Sequence, residues 1–461
     1  MRLDFEGLET ELAGVKMRTP ISLGAIVDAE YRGKKNVQEW VDMILKTIDA
    51  GAGQITIATI SYISPEDEAH LMKIVRAEKE ENRVPSWQRQ NPPVFPNTDY
   101  STVGFSSKSG FHGIGMFVPG IRMDPAARGK ADMKKEVMAI LKEKLPKNVP
   151  IIGSVTGYGS IPEGWLPCVK AAEQWGADLI ELNASCPIPT GFAEYIEWYS
   201  EESWPARYPG AGLLLKPNLF EKIVRESAKA VRVPIGVKFS PEVGFPDCVV
   251  LARRYRDAGA KYITTLNSAT TIVPPDIYNR GKPKTPHLSG NIIAGANGPF
   301  LRLTNYKMVG SIAKYAPGID MMAVGGIETP EHVIEFLMLG ANAVQQATTV
   351  MLKGRNLFRE EIVFLKKFLK EQGYHSVKEL IGIHQQYLKG SEEVYALEKV
   401  KYVAQTDVAL CKGCKICTDM PTCMASYMEG KKGLVDKERC EGCGWCIFGC
   451  PEGARRLVRV E

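Results

Sequence analysis

Gly176-Ala177-Asp178-Leu179-Ile180-Glu181-Leu182-Asn183-Ala184-Ser185-Cys186-Pro187 is the stretch from which the fold is read. A tight glycine turn leads into a short apolar run, as at the start of a buried strand. The run then breaks into an amide, a hydroxyl, a thiol and a proline. In an α/β barrel, polar side chains at the C-terminal ends of strands are the ones that carry chemistry. A lone cysteine there also has a plainer reading, as one more small buried hydrophobe.

Working outward, the same unit recurs. Strands are expected over 20–26, 54–60, 149–155, 178–183, 234–239, 261–267, 319–324 and 343–346. Between them lie segments with helical spacing. One is 36–50, with Val37, Trp40, Val41, Ile44, Leu45 and Ile48 on one face and Gly51 at its end. Asn218 is expected to cap the helix before the fifth strand, and Thr329-Pro330 opens the helix after the seventh. Eight strand–helix units in sequence imply a parallel sheet closed into a (β/α)8 barrel, an α/β TIM barrel. An open doubly wound sheet is the alternative. Residues 61–130 lose regularity and are expected to form a long excursion at the functional end.

The expected domains are a barrel over 1–373, a charged linker over 374–404 and a small cysteine-rich unit over 405–461. The 461 residues are 44% hydrophobic and 24% charged, as in an ordinary globular protein. A net charge of +5 gathered on no single helix leaves no nucleic-acid footprint. With neither a membrane-length apolar run nor a signal-peptide core, a cytoplasmic protein is expected.

Eleven cysteines are present, and eight of them fall between 411 and 450. Cys411, Cys414 and Cys417 step by three and are followed by Cys423; Cys440, Cys443 and Cys446 do the same and are followed by Cys450-Pro451. In two-cluster ferredoxins the fourth ligand of each cluster comes from the other run. Cys411, Cys414, Cys417 and Cys450 are therefore expected to hold one [4Fe–4S] cluster, and Cys440, Cys443, Cys446 and Cys423 the second. Zinc also binds paired cysteines, but it needs neither the third cysteine at the same step nor the terminal Cys-Pro. The five residues between Cys417 and Cys423, where three are usual, make Cys423 the least regular ligand.

Clusters move single electrons, so the barrel needs a group that turns them into two-electron chemistry, which a flavin does. Gly325-Gly326 after the seventh strand and Ala347-Thr348-Thr349 after the eighth occupy the usual phosphate grip of a barrel.

Several motifs now combine: Asn183-Ala184-Ser185-Cys186-Pro187, Val237-Lys238-Phe239-Ser240-Pro241, Asn267, Leu288-Ser289-Gly290 and Gly325-Gly326-Ile327. Their order, together with Leu12-Ala13-Gly14-Val15-Lys16, resembles dihydroorotate dehydrogenases. With two ferredoxin motifs appended, the chain is most similar to dihydropyrimidine dehydrogenases, in particular the FMN and iron–sulfur subunit of the bacterial NAD-dependent form. The resemblance implies an FMN enzyme that oxidises or reduces a C=C bond conjugated to a carbonyl. Hydride passes through flavin N5, and the Cys186 thiol serves the neighbouring carbon as general acid or base. Lys238 is implied against the flavin's pyrimidine edge, with Gly290, Gly325, Gly326, Thr348 and Thr349 also holding the cofactor. Asn183 and Asn267 would contact both flavin and substrate, with Ser268 assisting. Family members also imply an oligomer.

Three departures leave the substrate open. Ile57-Ala58-Thr59 stands where the family has a lysine, Ile188-Pro189 follows Cys186-Pro187 without the familiar polar residue, and the aromatic stretch 188–209 is long. That stretch could be a lid over a larger substrate or a packed surface loop. Arg207, Lys282, Lys284 and His287 are further candidates at the same rim. No nicotinamide motif is present, so electrons would come from a partner subunit handling NAD(P)H and FAD, or from ferredoxin. A flavin and iron–sulfur relay without its own substrate is the competing reading.

Overall fold

In the computed structural model of this chain, residues 3–25, 36–60, scattered positions from 62 to 73, 101–103, 113–116, 125–157, 160–185, 211–214, 216–272, 275–283, 293–390, 393 and 401–460 are described. Their contacts divide the chain into two units, Met1–Leu388 and Lys389–Glu461. The stretch expected as a linker is shorter than the charge pattern suggested. Val377 and Leu380 are fully buried in the core of the first unit, and Tyr402–Thr406 is a strand of the second. Charged residues flank both segments and hide their few apolar anchors.

The first unit is an eight-stranded parallel barrel. Its strands are β1 (Ile21–Leu23), β2 (Ile55–Ile60), β3 (Ile151–Val155), β4 (Leu179–Leu182), β5 (Ile235–Phe239), β6 (Tyr262–Thr265), β7 (Asp320–Val324) and β8 (Ala343–Gln346). From β2 to β8 each strand pairs with the next, and β8 pairs with β1, whereas β1 and β2 share no ladder. Between β1 and β2 the seam is drawn together by the Gly53 N–H on the Ile21 carbonyl at 2.8 Å and by Gln54 Nε2 donating to Ser22 Oγ at 2.5 Å. The outer helices are α1 (Val37–Asp49), α2 (Pro125–Lys144), α3 (Pro162–Gln174), α4 (Pro217–Ala230), α5 (Asp247–Asp257), α6 (Arg302–Tyr315), α7 (Pro330–Leu339) and α8 (Asn356–Gln372). Asn36 caps α1 by accepting the Glu39 N–H at 3.0 Å. Asn218, expected as a cap, instead lies inside α4, which begins at Pro217; its Oδ1 accepts from Arg254 on α5 at 2.9 Å. Proline at the first helical position needs no hydrogen-bond donor, so the helix starts there.

The excursion after β2 is more regular than its composition predicts. Ser101–Val103 pairs with Gly113–Met116, which pairs with Ile293–Asn297, which pairs with Ala269–Ile272. Segments leaving the ends of β2 and β6 thus build a four-stranded antiparallel sheet. Strands this short and rich in glycine carry no alternation of their own and exist because they pair.

The barrel interior is layered. At the N-terminal end, Ile152, Leu179, Tyr262, Met322 and Ala343 form an apolar floor, closed by Leu12 and Met17 of the hairpin Thr10–Leu12/Val15–Met17. Asp320 fixes that hairpin by accepting the Ala13 N–H at 2.7 Å. The next layer is polar: Thr56 Oγ1 donates to Gln54 Oε1 at 3.3 Å and Gln345 Nε2 donates to Thr56 Oγ1 at 3.0 Å. Above it are the strand ends. No described helix is long and apolar enough to cross a membrane.

Outside the barrel wall, Glu361 of α8 is fully buried against β8, where Gln346 Nε2 donates to both carboxyl oxygens at 2.6 and 2.7 Å. Burial pushes this carboxyl up to about 8, with the Gln346 hydrogen bond opposing. The folded chain therefore holds a proton that the unfolded chain releases near 4.5. This contribution to stability is complete below about 4.5 and declines as pH rises towards 8. Thermal unfolding between about pH 5 and pH 8 should show a falling Tm. Glu361→Gln, neutral throughout, should flatten that slope; an unchanged slope would assign it to other groups.

Candidate functional site

Three side chains meet at the C-terminal ends of β4 and β6. Asn267 Nδ2 donates to Asn183 Oδ1 at 3.2 Å and to Ser185 Oγ at 3.1 Å, and Ser185 Oγ donates to Asn183 Oδ1 at 3.1 Å. Sheet geometry causes the meeting: the Asn183 N–H continues the ladder onto Val155, and the Asn267 N–H continues it onto Phe239. Asn267 Oδ1 also accepts the Ser268 N–H at 2.8 Å, and Ser268 Oγ donates to Asn297 Oδ1 at 2.6 Å on the antiparallel sheet. Asn297 has no sequence signal, because its role depends on a strand that forms only by pairing. Cys186 and Gly290 lie outside the described residues, as do 188–209, Lys284 and His287. Lys282 is exposed on a short hairpin.

Below the amides lies a buried ion pair. Lys238 of β5 is 5% exposed and its Nζ sits 3.7 Å from Glu181 Oε1 of β4, which is fully buried. Ser154 Oγ of β3 donates to the same oxygen at 2.8 Å, while Glu181 Oε2 has no partner among the described residues. Register explains it: Glu181 lies opposite Gly236, two residues before Lys238 on the same face. At Gly236 a Cβ would fall 2.3 Å from the Tyr262 ring, so glycine makes room for that ring in the barrel. Burial, with Glu181 adding, pushes the Tyr262 hydroxyl well up, so it stays a neutral phenol. Glu181 was legible only as the one charge in an otherwise apolar strand.

At the end of β7, Gly325 and Gly326 take φ of 106° and 82°, values that favour glycine. Side chains of α6 satisfy the surrounding carbonyls: Asn305 Nδ2 donates to those of Val324 and Gly325 at 2.9 and 3.1 Å, and Arg302 Nη1 to that of Gly326 at 3.2 Å. Among the described residues no acceptor takes the Gly325 or Gly326 N–H. Thr348 opens a short helix after β8, and the Thr349 hydroxyl donates to the Ile327 carbonyl, bracing the glycine turn. At the end of β2, where the family lysine is missing, Lys134 of α2 donates to the Thr59 carbonyl at 2.6 Å.

The second unit pairs Tyr402–Thr406 with Arg455–Arg459 and Ser426–Glu429 with Lys432–Val435. Cys411, Cys414, Cys417 and Cys450, the set assigned to one cluster, line a single cavity. Backbone N–H groups approach their sulfurs: Gly433 to Cys411 at 3.5 Å and Ala454 to Cys450 at 3.3 Å. The Gly433 N–H, then that of Gly413, holds the Cys411 thiol below its ordinary range, the direction a thiolate ligand needs. In the second set the Ala404 N–H reaches Cys440 at 3.3 Å. Burial pushes the Cys446 thiol up, Arg455 opposes, and Cys423, Cys440 and Cys417 add to the rise. Among the described residues no three His, Cys, Asp or Glu side chains gather closely enough to hold one metal ion. A cavity lined by four thiols suits a group with volume of its own. By contrast, Cys168 and Cys248 are fully buried core residues, and burial pushes Cys168 up to about 12.

Comparison with known proteins adds three family matches. The family model for dihydroorotate dehydrogenase matches residues 205–369, that for dihydrouridine synthase 144–265, and that for the 4Fe-4S binding domain 434–456. The catalytic subunit of dihydroorotate dehydrogenase B (NAD(+)) from Thermoplasma volcanium is 32% identical over 234 residues, 51% of this chain and 68% of that protein. The chain belongs to the dihydroorotate dehydrogenase family. Its relative from Pyrococcus abyssi is 32% identical over 52% of this chain and 71% of its own. The NAD-dependent dihydropyrimidine dehydrogenase subunit PreA of Escherichia coli K12 is 25% identical over 69% of this chain and 65% of its own. As a member of this family the chain is an oxidoreductase, and family membership together with the ferredoxin motif implies FMN and a [4Fe–4S] cluster. The residues fit a flavin phosphate and ring: two uncommitted glycine N–H groups at the end of β7, and the Lys238 ammonium with strand-end amides in the barrel.

Proposed function

We propose that this chain oxidises or reduces the C=C bond of a pyrimidine-like unsaturated carbonyl compound, with electrons passing through two [4Fe–4S] clusters to or from a partner. The observation that carries the reading is the Asn183–Ser185–Asn267 group, held at the strand ends directly before Cys186. Carboxamides offer a donor and an acceptor in one plane, which is what the alternating C=O and N–H edge of a pyrimidine requires. FMN, when bound, supplies hydride transfer and exchanges electrons one at a time with the clusters. Cys186 would give a proton to the substrate carbon beside the one that receives hydride, or take it in the oxidative direction. Gly325, Gly326 and Thr348 would hold the cofactor phosphate, with Thr349 bracing them, and Gly290 completes the proposed set. Lys238 would stabilise negative charge on the reduced ring, with Glu181 fixing its position.

The second reading, a relay without its own substrate, draws on Ile57-Ala58-Thr59, which stands where the family has a lysine. An anaerobic absorbance spectrum with iron, sulfide and flavin quantified tests both. FMN with eight irons, and reduced protein reoxidised by uracil, thymine or orotate, is the expected result. FMN and iron without response to any of them would overturn the pyrimidine assignment and leave a larger substrate or the relay. A partner subunit handling NAD(P)H, or a ferredoxin, would complete the electron path in either case.

A further inference from the structure

We propose that Arg455 is a counter-cation shared by the two cysteine sets, and that it makes the cluster on Cys417 easier to reduce. This rests on the two-cluster reading. Arg455 opens the last strand and is 4% exposed, whereas Arg456 and Leu457 beside it are not buried. Its Nη2 donates to Cys417 Sγ at 3.0 Å and to the Leu434 carbonyl at 3.2 Å, and its Nη1 to Ser426 Oγ at 3.3 Å. Ser426 Oγ in turn lies 3.5 Å from Cys423 Sγ. Cys417 and Cys423 belong to different sets, so one guanidinium touches the first directly and the second through a single hydroxyl. Gly433 permits this approach: a Cβ there would stand 2.9 Å from Cys417 Sγ and 3.3 Å from Arg455 Nη2.

A buried charge needs a partner. Arg456 reaches a neutral amide, Gln405, at 3.1 Å and is exposed to water. Arg455 has neither water nor, among the described residues, an ion-paired carboxylate; the negative charge facing it is that of the thiolates. Hydrogen bonds to cluster sulfurs, net charge and solvent exposure set the potential of such clusters. When a cluster takes one electron from a reductant, its negative charge rises by one while Arg455 keeps its proton. The fixed cation therefore favours the reduced form. The direct N–H to Cys417 makes the effect larger on that cluster than on the one reached through Ser426.

The test uses the full chain, assembled anaerobically with iron and sulfide and titrated with dye mediators while each cluster is followed by electron paramagnetic resonance. Iron and sulfide counts come first: fewer than eight irons in the unaltered protein would overturn the two-cluster reading itself. With eight irons in both proteins, Arg455→Gln should disfavour reduction of the cluster on Cys417 about tenfold, or about 59 mV for one electron. Equal potentials at equal iron content would overturn the proposal. Should Arg455→Gln fail to assemble, Arg455→Lys keeps the charge but loses the fork. It should shift the same cluster in the same direction by less, since the charge stays; a full tenfold shift with the cation retained would overturn the counter-cation role. Ser426→Ala should move only the other cluster; no change there would remove the sharing.

Discussion

Cys186→Ala should lower turnover by roughly 10²–10⁴-fold, the usual worth of a positioned acid or base, while leaving flavin and iron content unchanged. In the sequence this residue follows directly on Ser185, whose hydroxyl is tied to both asparagines. Steady-state rates with a pyrimidine substrate, alongside flavin and iron assays, make the measurement. Cys186→Ser should recover little, because an alcohol is a far weaker acid than a thiol whose pKa can be drawn towards neutrality. Full activity in the alanine variant would remove the acid–base role. Loss of flavin in parallel with activity would instead make Cys186 part of the cofactor pocket.

Lys238→Met should destabilise the barrel by about 3–5 kcal/mol, the cost of breaking a buried pair by removing one partner. Lys238 and Glu181 are both buried, and among the described residues the carboxylate has only Ser154 besides the ammonium to offset its desolvation. Removing the lysine strands that charge in the barrel, and the proposed contact to the flavin goes with it. The thermal midpoint and the fraction of FMN retained report on the two effects separately. Adding Glu181→Gln to Lys238→Met should restore most of the stability, since the stranded charge is gone, but none of the flavin affinity. A double variant no more stable than the single one would mean that packing, and not the unpaired carboxylate, sets the cost.

Both expectations draw on a site whose parts were unequally visible beforehand. Asn183, Lys238 and Asn267 stand out as polar residues at strand ends, because strand period and turn residues are local signals. Glu181 carries the same kind of signal, one charge among apolar neighbours, but its partner lies 57 positions further on. Asn297 and the antiparallel sheet that holds it were hidden in segments whose composition suggested only irregular chain. Lys134, which donates to the strand end lacking the family lysine, gave no sign of reaching it, since helix periodicity does not say how far a flexible side chain extends.

By itself the sequence determined the eight strand–helix alternations and hence the parallel barrel, because hydrophobic period, caps and glycine stops act within a few residues. It also set the two cysteine runs, whose steps of three are written in the chain. Tertiary structure decided which of these residues meet. Barrel register placed Glu181 across from Gly236 and beneath Asn183, and closure brought Gln345 to Thr56, 289 positions away. In the second unit, strand pairing put Arg455 on Cys417, 38 positions back, with Ser426 beside it. Such contacts depend on the relative placement of whole elements, which is fixed only when the sheet closes and buries both partners together.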